Sequence, residues 1–278
     1  MSEFRADLHC HTTCSDGSLT PKQIVRHAVD LGLQGLSITD HDTVEAYVEA
    51  TPEAEKLGLK LIPGAEFSAN MDGISIHILA YSFSPTNPLM QDFCQRHKLR
   101  RQNRNRAILE KLAKKGMTIS EEELNNSQSI PHHSIGRPHI ALEMVRKGYV
   151  SSLQEAFKRF IGESAPCYDV GESFSVQETI ELIHAVQGLA VIAHPHLVNK
   201  REIIHKLLKF PFDGIECFYS RFSPEDHKRW VEIAEKKQWL VTGGSDFHGD
   251  IKPNVALGCS WISEEPFNIL LQHYLSHS

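Results

Sequence analysis

The segment Asp7-Leu8-His9-Cys10-His11 places side chains that can bind metals at three alternate positions near the start of the chain. Alternate residues of a β-strand point to the same face. One short strand could therefore direct Asp7, His9 and His11 toward a common point. Imidazole and carboxylate groups are the ligands that divalent metals of intermediate softness take. The segment predicts a strand that supplies half of a metal site.

Composition limits the class of protein. The chain has 278 residues, 41% hydrophobic and 23% charged, which is ordinary for a globular protein and enough for one large α/β barrel or two smaller domains. No apolar run approaches the roughly 20 residues of a membrane span. The net charge of −6 argues against broad nonspecific binding of nucleic acid, but it allows a local basic site. The excess of histidine, 17 residues, favours metal binding or catalysis.

The cysteines and the N-terminus indicate the cellular compartment. The six cysteines include no Cys-x-x-Cys pair and no framework of a small disulfide-rich domain. Residues 1–5 contain no apolar segment of the secretory type and lead directly into the Asp7 strand. We therefore expect reduced thiols and a cytoplasmic protein.

Strand and helix signals alternate at both ends of the chain but not in its middle. The predicted strands are 6–11, 35–40, 59–66, 75–80, 189–193, 214–217 and 240–243. The predicted helices between them are 21–31, 44–57, 175–187 and 224–237, with Thr20 and Ser175 as N-caps. Such units indicate a parallel sheet covered by helices. Residues 85–166 show mostly helical patterns, so we predict an α/β domain of 1–84 and 167–278 with a helical insertion domain of 85–166.

Candidate metal ligands recur at or just after the ends of predicted strands. They are His9, His11, residues 40–42, Glu66, His194, Asp246 and His248. Active sites form at this edge of barrels and open α/β sheets, and packing alone would not place such side chains there repeatedly. Simpler readings stay open for single residues. His77, inside an apolar strand, suits a hydrogen-bonded core histidine as well as a ligand, and Asp42 could cap the helix that begins at Val44.

Six motifs follow one another along nearly the whole chain. They are Asp7-Leu8-His9-Cys10-His11 with Ser15-Asp16-Gly17, Thr39-Asp40-His41-Asp42, Pro63-Gly64-Ala65-Glu66, His77, Ala193-His194-Pro195 and Ser245-Asp246-Phe247-His248. In this order they resemble the motifs of the PHP (polymerase and histidinol phosphatase) family of metal-dependent phosphoesterases. The resemblance implies a distorted (β/α)7 TIM-like barrel with a cluster of two or three divalent metal ions.

The resemblance also implies which residues bind the metals. The first metal would be bound by His9, His11, Glu66 and Asp246, the second by Glu66, His77 and His194, and the third by Asp16, His41 and His248. Asp7 and Asp40 would orient ligand imidazoles. Mn²⁺ is the first expectation for such a mixed site, and Fe²⁺ or Zn²⁺ also fits. Every ligand position is filled, which argues against a metal-stabilised interaction module without catalytic activity.

Closely spaced metals suit phosphoryl transfer, because they polarise phosphoryl oxygens and convert a bound water into hydroxide near neutral pH. Asp246 and His196 are the predicted catalytic residues. His196, two residues after His194, would protonate the leaving oxygen. Contact with the substrate alone is the other reading of its position.

Two basic features of the insertion predict how the substrate is bound. Residues 96–106 are densely basic, and Arg101 and Arg104 would share a helix face. Arg137 precedes Pro138 at a helix start, which combines a guanidinium with the positive end of a helix. The predicted substrate-binding residues are Arg101, Arg104, Arg137, His139 and His196. A solvated basic face and an ordinary helix start are the alternatives.

The segment Gly136-Arg137-Pro138-His139-Ile140-Ala141 is similar to one PHP subgroup, which contains 3′,5′-nucleoside bisphosphate phosphatases and enzymes that trim RNA 5′ ends. The resemblance implies a phosphoesterase that removes the 3′-phosphate of nucleoside 3′,5′-bisphosphates by attack of metal-bound hydroxide. Short 5′-phosphorylated oligonucleotides would be further substrates.

Two other activities stay open. A histidinol-phosphate phosphatase and an amidohydrolase-type C–N hydrolase would use the same barrel and metals, but neither needs Arg137 and a basic helix. We expect a phosphorylated nucleotide or short oligonucleotide as partner, with no stable binding to duplex nucleic acid and no membrane association. The sequence leaves the oligomeric state open.

Overall fold

The computed structural model describes residues 4–126, 135–220 and 222–277. The chain divides into two compact units. The barrel unit consists of Met1–Cys94 and Phe174–Ser278, and the helical unit is Gln95–Ser173. Within the described residues, every strand belongs to the barrel unit. None of the helices described has the length and apolar character needed to cross a membrane.

In the described part of the barrel unit, nine strands form two sheets. They are β1 Ala6–Asp7, β2 Gly35–Leu36, β3 Lys60–Leu61, β4 Gly64–Met71, β5 Ile74–Tyr81, β6 Phe174–Ser175, β7 Leu189–Ile192, β8 Gly214–Tyr219 and β9 Leu240–Gly244. The orders are β1-β2-β3, all parallel, and β6-β4-β5-β7-β8-β9, in which only β5 runs antiparallel to its neighbours. Backbone pairing of Leu8 with Gly243 and of His41 with Glu66 connects the two sheets. The strands therefore form a distorted barrel.

Ten α-helices accompany these strands in the residues described. They are α1 Pro21–Asp30, α2 Tyr47–Leu57, α3 Pro88–Ala113, α4 Glu121–Asn126, α5 Arg137–Arg146, α6 Leu153–Ala156, α7 Val176–Ala185, α8 Arg201–Leu207, α9 Pro224–Lys237 and α10 Glu264–His277. Thr20 and Gln23 form a capping box at α1, and Ser175 and Glu178 form one at α7. Both predicted N-caps are confirmed.

Apolar side chains fill the space between the sheets and the helices of the barrel unit. Phe67, Phe93 and Trp230 are among its largest fully buried side chains, and Ile24 of α1 belongs to the same core as Ile38. Burial of each phenyl or aliphatic side chain contributes about 1.5–3 kcal/mol. Because such an interior is close-packed, it holds the strand ends, and the polar residues that follow them, in fixed positions.

The helical unit has its own hydrophobic core. It includes Ile108 and Leu112 of α3, Leu124 of α4, and Ile140 and Met144 of α5, all buried. Helix α3 begins in the barrel unit, and its residues from Gln95 onward belong to the helical unit. The separate core explains how this segment forms a compact unit of its own.

Some elements differ from their predictions. The predicted strand 59–66 is two strands, β3 and β4, because Pro63 between them has no N–H for a ladder hydrogen bond. Glu66 therefore lies inside β4 and not at a strand end. Helix α5 begins at Arg137 and not at Pro138. Helix α10 and the short strand β6 were not predicted.

Candidate active site

One cluster of imidazoles and carboxylates lies in the barrel unit. It brings together all nine residues predicted as metal ligands, which are His9, His11, Asp16, His41, Glu66, His77, His194, Asp246 and His248. Seven of them follow β1, β2, β7 and β9, whereas Glu66 and His77 lie on the antiparallel pair β4 and β5. The ends of the parallel strands and one face of the antiparallel pair β4 and β5 therefore meet at this cluster.

Glu66 is at the centre of the cluster. Its Oε2 lies 3.0–3.5 Å from one nitrogen each of His41, His11 and His9. Its Oε1 lies 2.8 Å from Nδ1 of His77 and 2.8 Å from Nε2 of His194. Each oxygen of this carboxylate therefore faces a different group of imidazoles.

Asp246 and Asp16 provide the other carboxylates of the cluster. Oδ1 of Asp246 lies 3.4–3.6 Å from nitrogens of His9, His11 and His248. Asp16 lies 3.4–3.8 Å from nitrogens of His11, His41 and His248. Atoms that could bind one metal form three overlapping groups, which are His11, Asp16, His41 and His248; His9, His11 and Glu66; and His41, Glu66 and His77.

Four buried atoms in this cluster have no hydrogen-bond partner within residues 4–126, 135–220 and 222–277. They are Nε2 of His9, Nε2 of His11, Nδ1 of His41 and Oε2 of Glu66. Leaving one buried polar group unsatisfied costs about 1–3 kcal/mol, so such atoms are rare. These four converge on a common space and are all donors to metals. The residues therefore fit divalent metal ions.

The charges of the cluster compensate one another. Burial opposes protonation of His11, but the carboxylates of Asp246 and Glu66 outweigh it and raise the pKa of the His11 imidazole to about 9. Burial opposes ionisation of Asp246, but the ammonium of Lys252 and the neighbouring imidazoles lower its pKa well below the ordinary value. Metal binding at His11 must therefore displace a proton.

Glu216 on β8 forms hydrogen bonds to two residues of the cluster, and the sequence analysis did not identify it. Its Oε1 accepts a hydrogen bond from Nδ1 of His9 at 2.8 Å, and its Oε2 accepts one from the backbone N–H of His194 at 2.7 Å. The bond at Nδ1 leaves Nε2 of His9 as the atom that faces Glu66 and Asp246. The signal available in the sequence was a glutamate inside an apolar strand, and the structure shows that this glutamate is fully buried.

Tyr219 and Lys252 fix the second oxygen of Asp246. The Tyr219 hydroxyl donates to Oδ2 at 2.6 Å, and the Lys252 ammonium donates to the same atom at 2.7 Å. Oδ1 of Asp246 then stays directed at the imidazoles. Nothing in the sequence pattern pointed to either residue.

Asp7 and Asp40 are predicted to orient imidazoles, but their carboxylates bond to the backbone and to hydroxyl groups of the site. Asp7 accepts backbone hydrogen bonds from His9, Ser245 and Gly258. Asp40 accepts hydrogen bonds from the backbone and hydroxyl of Thr12 and from the hydroxyl of Ser15. Both carboxylates therefore fix the loops that carry the ligands.

The reading of Asp42 as a helix cap is wrong. Helix α2 starts at Tyr47, with Ala46 as N-cap residue, and the Asp42 carboxylate accepts hydrogen bonds from the backbone and hydroxyl of Ser68. Asp42 has a φ of 58°, and two predicted ligands, His194 and Asp246, have φ values of 24° and 55°. Such strained backbone in non-glycine residues concentrates at functional sites.

Two glycines allow the backbone to approach closely around the ligands. A Cβ on Gly17 would lie 2.3 Å from the carbonyl oxygen of His11, and a Cβ on Gly244 would lie 2.3 Å from the backbone nitrogen of His9. Any side chain at these positions would displace the loop that carries His9 and His11.

The predicted catalytic residue His196 lies in the barrel unit, beside Tyr219. The His196 ring centre is 4.9 Å from that of Tyr219 and 4.2 Å from that of Phe222. Through Tyr219 it is one side chain away from Asp246. Proton donation by His196 stays a prediction.

The predicted substrate-binding residues of the insertion lie in the helical unit. The guanidinium of Arg137 is 5.1 Å from the ring centre of Tyr168. Burial lowers the pKa of Arg137; Tyr168 and Glu163 oppose this effect, and the charge of Arg101 adds to it. Nδ1 of His139 accepts a hydrogen bond from the backbone N–H of Gly136 at 2.9 Å. Binding of the substrate by Arg101, Arg137 and His139 stays a prediction.

Arg104 has a different environment from Arg101. It is buried against Gly171, and its charge acts on Asp169, whose carboxylate also accepts a hydrogen bond from Lys111. Arg104 therefore has an acidic neighbour within the helical unit. Contact of Arg104 with the substrate stays a prediction.

Comparison with known proteins identifies the relatives of the chain. Residues 7–118 match the PHP domain. A 5′-3′ exoribonuclease of Haemophilus influenzae is 34% identical over 266 residues, which cover 92% of this chain and 91% of that protein. A 3′,5′-nucleoside bisphosphate phosphatase of Chromobacterium violaceum is 26% identical over 247 residues, covering 87% and 86%. The solved structure of a metal-dependent phosphoesterase from Bifidobacterium adolescentis has a TM-score of 0.87 at 31% identity, covering 96% of each chain.

The barrel and its cluster of imidazoles and carboxylates define a metal-dependent hydrolase. The chain belongs to the PHP family, and the protein is a metal-dependent phosphoesterase. The predicted family, the distorted TIM-like barrel and the class of phosphoric ester hydrolase are thereby confirmed.

Proposed function

We propose that the protein hydrolyses the 3′-O–P bond of a 5′-phosphorylated nucleotide. The observation that carries this proposal is the position of Glu66, whose two carboxylate oxygens face separate groups of imidazoles at 2.8–3.5 Å. Such a carboxylate suits two closely spaced metals, which supply polarisation of phosphoryl oxygens and an acidified water. Two or three divalent ions fit the nine ligands, with Mn²⁺ as the first expectation and Fe²⁺ or Zn²⁺ as alternatives.

One reaction accounts for two kinds of substrate. In a nucleoside 3′,5′-bisphosphate, hydrolysis of the 3′-O–P bond releases phosphate and a nucleoside 5′-monophosphate. In a 5′-phosphorylated oligoribonucleotide, the same reaction releases the first nucleotide and leaves a strand that again carries a 5′-phosphate. In both, water adds a hydroxyl group to phosphorus, and the leaving 3′-oxygen takes a proton. The names of the two relatives correspond to these two substrates.

In the proposed reaction, the residues of this chain have separate roles. The nine predicted ligands would hold the metals, and Glu216, Tyr219 and Lys252 would keep His9 and Asp246 in position. Arg101 and Arg137 would hold the 5′-phosphate, because an anion would stabilise the charge that burial disfavours at Arg137. His196 would protonate the 3′-oxygen or contact the substrate.

A substrate panel tests the proposal. The purified, Mn²⁺-loaded protein is incubated with adenosine 3′,5′-bisphosphate, a 5′-phosphorylated oligoribonucleotide, the same strand with a 5′-hydroxyl, histidinol phosphate and a simple amide. We expect nucleoside 5′-monophosphate from the first two, released from the 5′ end of the strand, and much slower hydrolysis of the 5′-hydroxyl strand. Preference for histidinol phosphate or the amide would overturn the proposal, and so would release of nucleotides from the 3′ end.

A further inference from the structure

A cavity of about 580 Å³ lies in the barrel unit beside the loops that follow β7 and β8. Its polar lining consists of His196, Asn199, Arg201, Asp226, Arg229 and Trp230. The volume lies within the range of small-molecule sites and can hold one nucleotide. None of the nine predicted metal ligands lines it.

The cavity is connected to the metal cluster by two side chains. His194, at the end of β7, belongs to the cluster, and His196, two residues later, lines the cavity. The ring of His196 packs against Tyr219, and the Tyr219 hydroxyl donates to Asp246. A substrate that binds at the cluster could therefore extend past Tyr219 and His196 into the cavity.

The charges of the cavity favour an anion. Arg201 and Arg229 contribute two guanidinium groups, and Asp226 contributes one carboxylate. Oδ2 of that carboxylate already accepts a hydrogen bond from the hydroxyl of Ser223, at the N-terminus of α9. Two guanidinium groups against one partly engaged carboxylate leave an excess of positive charge, which suits a phosphodiester.

Trp230 forms a rigid part of the cavity wall. Its side chain is 1% exposed and belongs to the hydrophobic core of the barrel unit, so this wall is fixed by packing. The guanidinium of Arg229 lies 4.6 Å from the indole ring centre, which keeps the positive charge at the same wall.

We propose that this cavity binds the second nucleotide of an oligoribonucleotide, the one that follows the hydrolysed bond. Arg201 and Arg229 bind its phosphodiester. This role rests on the proposed hydrolysis of 5′-phosphorylated nucleotides. It makes an oligoribonucleotide a better substrate than a nucleoside bisphosphate, which has no second nucleotide.

Kinetics on two substrates test this role. The double variant Arg201→Ala/Arg229→Ala removes two exposed side chains, so the fold is retained, and Lys200→Ala/Lys228→Ala is the matched control with exposed neighbours that do not line the cavity. For a 5′-phosphorylated triadenylate we expect KM to rise about tenfold in the first double variant and to stay unchanged in the control. For adenosine 3′,5′-bisphosphate we expect KM to change less than about twofold in both. Equal effects on the two substrates would overturn the role of the cavity.

A binding measurement separates this role from the proposed function. The affinity of a phosphorothioate triadenylate, which resists hydrolysis, is measured by calorimetry with wild type and both double variants. If wild type hydrolyses neither substrate, the proposed function fails, and the affinity still tests the cavity. A loss of about tenfold in the arginine variant alone supports the cavity, and equal affinity in all three proteins overturns it.

Discussion

The metal cluster of the barrel unit and Arg137 of the helical unit differ in how their buried charge is compensated. At Asp246 and His11, neighbouring groups of opposite charge outweigh burial, so the pKa of Asp246 is lowered and that of His11 is raised. At His41 and His248 of the same cluster, burial prevails and lowers the pKa, so these two imidazoles are held neutral beside the charged carboxylates. At Arg137, burial prevails and lowers the pKa of the guanidinium. The cluster therefore stabilises the charges of its own carboxylates, whereas in the function proposed above an anion of the substrate would stabilise the charge of Arg137.

The two regions also differ in how their side chains are held. The predicted ligands of the cluster lie on strands or on the loops directly after them. Glu216 bonds directly to His9 and His194, and Asp40 bonds to Thr12 in the loop that carries His11. Arg101 and Arg137 lie on helices α3 and α5 of a unit with a separate core. We infer that the barrel unit determines the chemistry, and that the helical unit can vary to change the substrate.

The substitution with the largest expected effect is Glu66→Gln. The amide keeps the volume but cannot provide a negative charge to both groups of imidazoles, so we expect kcat to fall by about 10³-fold, together with the bound metal. Activity and metal content by plasma emission spectroscopy check this. Glu53→Gln is the control, because Glu53 is also buried but pairs with Arg26 on the surface of the barrel unit. Equal metal content and activity in the two variants would contradict a central role for Glu66.

A smaller effect is expected for Glu216→Gln. The amide can still accept a hydrogen bond from His9, but the loss of charge makes the imidazole a weaker ligand, and metal affinity should fall by about 10–100-fold. Titration against a chelator of known affinity measures the change. Glu143→Gln in the helical unit, where a buried glutamate bonds to Arg146, should leave metal affinity unchanged. If both variants lose affinity equally, the cluster is not held by Glu216 in particular.

The sequence predicts the residues of the cluster, but not the residues that hold them in position, and the reason is physical. Metal binding restricts the residue type, and each motif carries its ligands within a few positions, as in His9 and His11. Glu216 acts on His9 from a distant part of the chain, and Tyr219 acts on Asp246 across two strands. Their roles depend on which strands are neighbours in the barrel, which local patterns do not contain.

The same limit explains the errors in local structure. Asp42 lies two residues before the predicted helix start at Val44, which suits a helix cap. In the folded chain, its carboxylate instead accepts hydrogen bonds from the backbone and hydroxyl of Ser68 on β4. Thr20 and Ser175 were predicted correctly as caps, because their partners are only three residues away. Interactions within one turn could be predicted, and those across the barrel could not.

The smallest effect, and the one that separates the two regions, is expected for Arg137→Ala. If Arg137 binds the 5′-phosphate, KM for a 5′-phosphorylated oligoribonucleotide should rise about tenfold, since a hydrogen bond to a charged group contributes about 1.5–3 kcal/mol. KM for the 5′-hydroxyl strand and the metal content should not change. The kinetics of both strands, measured side by side, check this.

Two further variants make the result specific to the guanidinium. Arg159→Ala removes an exposed arginine of the helical unit whose partner, Glu155, keeps its hydrogen bonds from Ser151, and it should leave both KM values unchanged. Arg137→Lys keeps a cation near Tyr168 but loses the planar pair of donors, so its KM for the phosphorylated strand should fall between those of wild type and alanine. An equal rise for both strands in Arg137→Ala would contradict phosphate binding. It would mean that Arg137 stabilises the helical unit through its aromatic neighbours. The charge of Arg137 would then not depend on an anion of the substrate, and Arg137 would not differ from the cluster in this respect.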